Sequence, residues 1–233
     1  MATFALVHGA WHGAWCWERL TPELEKLGHR VITMDLPIDD SSATFDDYAD
    51  IVCRAVDHCS GEDLVLVGHS LAGLTVPLVA ARRPLRRVVY LCALLPKLGV
   101  PLTQQMAEDT VMLNPDYAKG LGDKDSEGRR AWVDEVIARR HLFDDCDEAV
   151  ASAAVARLCP QATNPYRIPC SLSEMPTVDS TYVLCTEDRI VNPVWSRRIA
   201  RERMRAELIE LPGSHSPFLS RPRDLAAVLD GVG

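Results

Sequence analysis

The sequence predicts an α/β domain with a mostly parallel sheet of about six strands flanked by helices. Two observations carry the prediction. Short apolar runs alternate with segments of helical periodicity through both ends of the chain. The apolar runs are also nearly unbroken, the pattern of strands buried on both faces. A length of 233 residues suits one large domain or two small ones.

The elements follow in order. "TFALVH" (Thr3 to His8) is short, apolar and closed by Gly9, which reads as a buried strand. From Trp17 to Leu27 the apolar positions Leu20, Leu24 and Leu27 have helical spacing, and Gly28 stops the run. "RVITMDL" (Arg30 to Leu36) is the second strand, ended by Pro37. Phe45 to Cys59 is helical, with Tyr48, Ile51, Val52, Ala55 and Val56 on one stripe. Asp63 to Gly68 is a third strand, Leu71 to Arg82 a mostly apolar helix, and Arg87 to Leu94 a fourth strand. From Pro96 to about Pro176 the alternation stops. Helical stretches occur near Arg129 to Leu142 and Asp147 to Leu158, and no strand is expected there. Strands return at Thr181 to Glu187 and Ala206 to Leu211, with helices over Pro193 to Met204 and Arg221 to Leu229. The expected organisation is a core of residues 1–95 and 177–233 with a helical insertion, 96–176, above the carboxyl edge of the sheet. No internal repeat or low-complexity linker interrupts it.

Composition narrows the function classes. The chain is 47% hydrophobic and 25% charged, as expected of a globular protein with a sizeable core. A net charge of −8 disfavours nucleic-acid and anionic-membrane partners. None of the eight cysteines forms a Cys-x-x-Cys pair, and several lie in apolar runs, so reduced thiols and a cytoplasmic location are expected. Met1 leads directly into an apolar strand without a basic region or long hydrophobic leader. No apolar run reaches 18 residues.

The chemistry centres on "VLVGHSLAGL" (Val65 to Leu74). Ser70 stands between a buried strand and a helix, with Gly68 and Ala72 two residues to either side. A serine there is a helix N-cap or a nucleophile on a strained strand–turn–helix elbow, where bulk nearby would clash. A nucleophilic serine needs a base, and the base needs a partner that holds its tautomer. The order serine, acid, histidine on this fold points to Asp188, closing the strand "TYVLCTED", and His215 in "LPGSHSPF". Both fall at carboxyl ends of strands. Glu187 points to the face opposite Asp188, Asp35 ends the second strand, and Asp179 comes too early. His29 and His58 read as surface residues, His141 lies in the insertion, and the His69 side chain should point away from Ser70. An oxyanion needs two N–H donors. Leu71 N–H is one. The loop "HGAWHGAW" (His8 to Trp15) offers Ala10 N–H as the other. His8 and His12 have no metal-spaced partners and are read as braces of that loop. No metal or cofactor is expected.

"FALVHGAWHGAWCWERL", "GHSLAGL", "CTED" followed by Arg189, and "GSHSPF" resemble the α/β-hydrolase family of plant methylesterases and hydroxynitrile lyases, which has many bacterial relatives. The resemblance spans nearly the whole chain and is weakest in the insertion. It implies a nucleophile at Ser70, an acid at Asp188, a base at His215, oxyanion donors at Ala10 and Leu71, and a helical cap over an apolar pocket. Lyases of the family carry threonine or asparagine where this chain has Gly9, and those that use a lysine place it where this chain has Ser216. The reading is therefore a serine carboxylesterase of small, largely apolar esters. The alternatives are a carbon–carbon lyase on the same scaffold and a slow-turnover small-molecule receptor. Gly9, Trp11 and Trp132 are expected to contact substrate. Met106, Leu142 and Phe143 are further lining candidates, with simple core burial as the competing reading for each. The partner is a small-molecule ester, and a homodimer is one option for assembly.

Overall fold

A computed structural model describes residues 1–204 and 206–233. In chain order the elements are β1 (Thr3–Val7), α1 (Thr21–Lys26), β2 (Arg30–Thr33), α2 (Phe45–Ala55), β3 (Leu64–His69), α3 (Val76–Arg82) and β4 (Arg87–Leu91). Then come α4 (Leu102–Glu108), β5 (Arg129–Arg130), α5 (Glu135–Leu142), α6 (Glu148–Val155) and β6 (Gln161–Ala162). The chain closes with β7 (Ser180–Cys185), α7 (Pro193–Ile199), β8 (Glu207–Leu211), α8 (Pro217–Ser220) and α9 (Pro222–Val232). The main sheet has six strands in the order β2-β1-β3-β4-β7-β8. Each neighbouring pair is parallel. Strands β1 and β3 are buried along their whole length, as their unbroken apolar runs require. Edge strands β2 and β8 are only partly buried.

Local chemistry explains the helices. Thr44 caps α2 in a reciprocal capping box with Asp47, and the buried stripe Phe45, Tyr48, Ala49 and Val52 docks it. Helix α2 packs on α3, and α1 packs on α9. The run from Leu71 to Arg82 is not one α-helix: a 3₁₀ turn over Ser70–Leu74 precedes α3, because Pro77 can sit only in a first helical turn.

The sheet has a switch point. After β1 the chain crosses to β2 on one side, then returns to place β3 on the other. The loops leaving β1 and β3 therefore diverge, and ligands of open parallel sheets collect in such crevices. Register sets the loops side by side, with Val7 opposite Gly68. Segment 96–176 adds no strand to the main sheet. Contrary to expectation it contains a small antiparallel pair, with Arg129 opposite Ala162 and Arg130 opposite Gln161. Two residues per strand are too few to leave a periodic pattern. All eight cysteines are unpaired. Among the described residues no helix is long and apolar enough to cross a membrane.

Candidate active site

Ser70 lies at the carboxyl end of β3 with φ of 52°, in the left-handed region. That conformation costs about 1–3 kcal/mol for a residue with a side chain and persists only where the surroundings enforce it. The surroundings are tight. A Cβ at Gly68 would fall 2.6 Å from Val76 Cγ1, and one at Gly9 would fall 2.8 Å from Ser70 Cβ. The tightest place is Gly73, where a Cβ would stand 1.9 Å from the Leu94 carbonyl oxygen. Ala72 is the small residue two places after Ser70. The backbone contact that demands glycine is one residue further on.

His215, in the loop after β8, places Nε2 3.0 Å from Ser70 Oγ. Its Nδ1–H donates to Asp188 Oδ2 at 2.8 Å. Asp188 Oδ1 accepts from the Ile190 and Val191 N–H groups at 2.7 and 3.0 Å. The carboxylate is thus fixed on both oxygens, and the imidazole tautomer is the one that leaves a lone pair on Nε2 for Ser70. Both side chains are buried. Glu187 is exposed. Asp35 is also exposed and accepts instead from the Ala14 N–H at 2.7 Å. Asp179 lies on the surface near Arg87.

Two carbonyls near Ser70 are held in ways that aim the N–H groups of the same peptides. His8 Nδ1–H donates to Gly9 O at 2.9 Å, and His8 Nε2 accepts from the Leu36 N–H at 3.0 Å. A trans peptide sets C=O and N–H on opposite sides, so the Ala10 N–H points away from His8. Leu94 N–H donates to Ser70 O at 2.9 Å, which in the same way directs the Leu71 N–H. His12 Nδ1–H donates to Ala10 O at 2.8 Å. The two histidines brace the loop, as the sequence reading held. Burial keeps both neutral: it lowers the His8 pKa, and brings that of His12 down to about 3.

His69 has a part the sequence reading missed. Its ring lies 4.6 Å from the His215 ring and donates Nε2–H to His215 O at 2.9 Å. Burial holds its pKa well below the ordinary histidine value. The expected surface residue His29 is buried, accepts from the Ala2 N–H and meets Asp230. No local pattern announces either contact, since each partner lies far away in sequence.

Ser70, Leu71 and Ala10 open onto a cavity of about 240 Å³ with mainly apolar walls, including Trp11, Leu102, Met106, Leu113 and Tyr166. Trp11 and Met106 therefore line the space as expected. Trp132 does not. It stands one layer back, its ring 5.4 Å from that of Trp11, where it backs the Trp11 wall. Trp11 is also tied by its Nε1–H to Arg130 O at 3.1 Å. Gly9 is no contact surface either. Its missing side chain makes room for Ser70. Leu142 and Phe143 are buried in the core rather than on the wall, with the Phe143 ring 5.8 Å from His12. Ser216 is fully buried and does not line the cavity. Ligand-type atoms of Cys92, Asp188 and His215 lie within 4.8 Å of one another. The His215–Asp188 hydrogen bond already occupies the imidazole and carboxylate of that trio, so the set does not read as a metal site.

A parallel sheet with a strained serine at a strand end, hydrogen-bonded in series to a histidine and a carboxylate, defines a hydrolase-type scaffold. Residues 4–228 match the alpha/beta hydrolase family, and the chain belongs to that family. It is similar to methylesterase 7 of Arabidopsis thaliana, at 28% identity over 97% of this chain and 94% of the relative. Methyl jasmonate esterase 1 of Vitis vinifera is 27% identical over 98% of this chain and 95% of the relative. The crystal structure of polyneuridine aldehyde esterase superimposes with a TM-score of 0.85 at 23% identity, covering 100% of this chain and 99% of that one, which is a likeness of fold.

Proposed function

We propose that this protein is a serine carboxylesterase of small, largely apolar esters. The observation that carries the reading is the unbroken series Asp188–His215–Ser70, with Ser70 facing an apolar cavity. Ser70 Oγ attacks the ester carbonyl carbon while His215 Nε2 takes its proton. The carbonyl oxygen becomes an oxyanion, held by the Ala10 and Leu71 N–H groups. Each such donor is worth roughly 3 kcal/mol in comparable enzymes. Collapse breaks the carbon–oxygen bond to the leaving alcohol, which receives the proton from His215. Water, deprotonated by His215, then hydrolyses the acyl-enzyme and frees Ser70. Asp188 holds the imidazole and stabilises its charged form. Segment 96–176 serves as the cap, since it supplies much of the cavity wall.

The methylesterase and esterase names of the relatives support ester hydrolysis. So does the site itself: Gly9 offers no side chain to a cyanohydrin hydroxyl, and Ser216 is buried away from the cavity. The test offers p-nitrophenyl acetate and mandelonitrile separately at neutral pH. A burst of p-nitrophenol, lost in Ser70→Ala by a factor on the order of 10⁴ or more, is expected. Faster release of cyanide than of p-nitrophenol would overturn the reading, as would a Ser70→Ala rate within tenfold of wild type.

A further inference from the structure

One polar side chain on the cavity wall is left half-used. Gln161, on β6, lines the cavity that Ser70 opens onto and is only 1% exposed. Its amide nitrogen donates to Ile38 O at 3.2 Å and to Ala162 O at 2.9 Å. Both partners are carbonyls and can only accept, so the amide cannot be flipped. The Tyr48 hydroxyl lies 3.4 Å from the same nitrogen. Gln161 Oε1 is buried and has no hydrogen-bond partner among the described residues. An unmet buried acceptor is costly, and native structures keep few of them without a use. Gln161 comes from β6, while Ser70 comes from the turn after β3, so the two residues reach the cavity wall from different parts of the fold.

We infer that Gln161 Oε1 is a substrate-specificity group: the ester bound here carries a neutral hydrogen-bond donor, a hydroxyl, which Gln161 accepts. The inference rests on the esterase reading and adds a second anchor to it. The carbonyl is held beside Ser70 and the hydroxyl at Gln161. A carboxylate on the substrate would face the lone pairs of Oε1 and be repelled, whereas an alcohol or phenol satisfies them. A site built to accept a hydroxyl proton rejects the analogue that lacks it, because the acceptor is then stranded.

The experiment compares methyl phenylacetate with its 2-, 3- and 4-hydroxy and methoxy derivatives. The methoxy group keeps the oxygen but has no proton to donate. At least one hydroxy ester should exceed both its parent and its methoxy counterpart in kcat/KM by tenfold or more. In Gln161→Met that ratio should fall to near one, a loss of discrimination that general damage to the wall, which slows all three esters alike, would not produce. A wild-type ratio below tenfold for every isomer overturns the inference and decides the matter even if the variant does not fold. A ratio that survives in Gln161→Met overturns it too. Calorimetric binding of the same esters to Ser70→Ala separates the two readings. Absence of turnover in wild type sinks the esterase assignment, whereas equal affinity of Ser70→Ala for hydroxy and methoxy esters sinks the role of Gln161.

Discussion

Gly73→Ala should damage both stability and turnover, and the structure sets the size of each effect. The new methyl would stand 1.9 Å from Leu94 O, and real Cβ contacts do not fall below 3.0 Å, so the Leu94 backbone must retreat by about 1 Å. Leu94 N–H holds Ser70 O at 2.9 Å, and that bond does not survive such a shift. Overpacking costs about 1–3 kcal/mol and the lost hydrogen bond about 1 kcal/mol. For a domain of this size the sum lowers Tm by roughly 5–15 °C. The bond to Ser70 O also aims the Leu71 N–H. Loss of one oxyanion donor reduces kcat about 10²- to 10³-fold. Calorimetric unfolding and p-nitrophenyl acetate kinetics measure the two effects on one preparation, with Ser70→Ala as the variant that loses turnover while keeping Tm. A Gly73→Ala protein melting within about 2 °C of wild type with kcat within threefold would refute this account of the elbow.

Asp188→Asn should leave Tm nearly unchanged and lower kcat about 10⁴-fold, because an amide no longer enforces the tautomer that presents Nε2 to Ser70; loss below a hundredfold in steady-state assays would count against the pairing. Gly9→Ala brings a methyl to 2.8 Å from Ser70 Cβ, and kcat/KM should fall at least tenfold while the protein still folds, as followed by circular dichroism. Stability should also fall in acid. An unfolded His12 takes up a proton below pH 6.5, while the buried one resists until about pH 3, so stability falls as pH drops through that window. His12→Asn, which keeps an N–H for Ala10 O, should flatten the slope by about 1 kcal/mol per pH unit, read from urea unfolding at pH 7 and pH 5; an unchanged slope would show that His12 is not the group responsible.

Much of this protein was written in local sequence. The parallel sheet was legible because strands buried on both faces need unbroken apolar runs, as in "TFALV" and "LVLVGH". The elbow was legible because its backbone needs small residues around Ser70. Asp188 was picked over Glu187 by strand alternation, but β7 ends at Cys185 and both residues sit in the turn after it, so it is the turn that buries Asp188 and leaves Glu187 exposed. These are constraints that a residue imposes on its near neighbours. Tertiary structure decided the rest. Gly73 is required by Leu94, His69 holds the His215 backbone, and Gln161 reaches Ile38. Trp132 and Trp11 look alike as exposable aromatics, yet only Trp11 lines the cavity. Each of these assignments turns on two stretches of chain that meet only when the sheet and its insertion fold together. Packing distance and hydrogen-bond geometry, which no periodicity encodes, then determine which polar atoms are used and which stay free for a ligand.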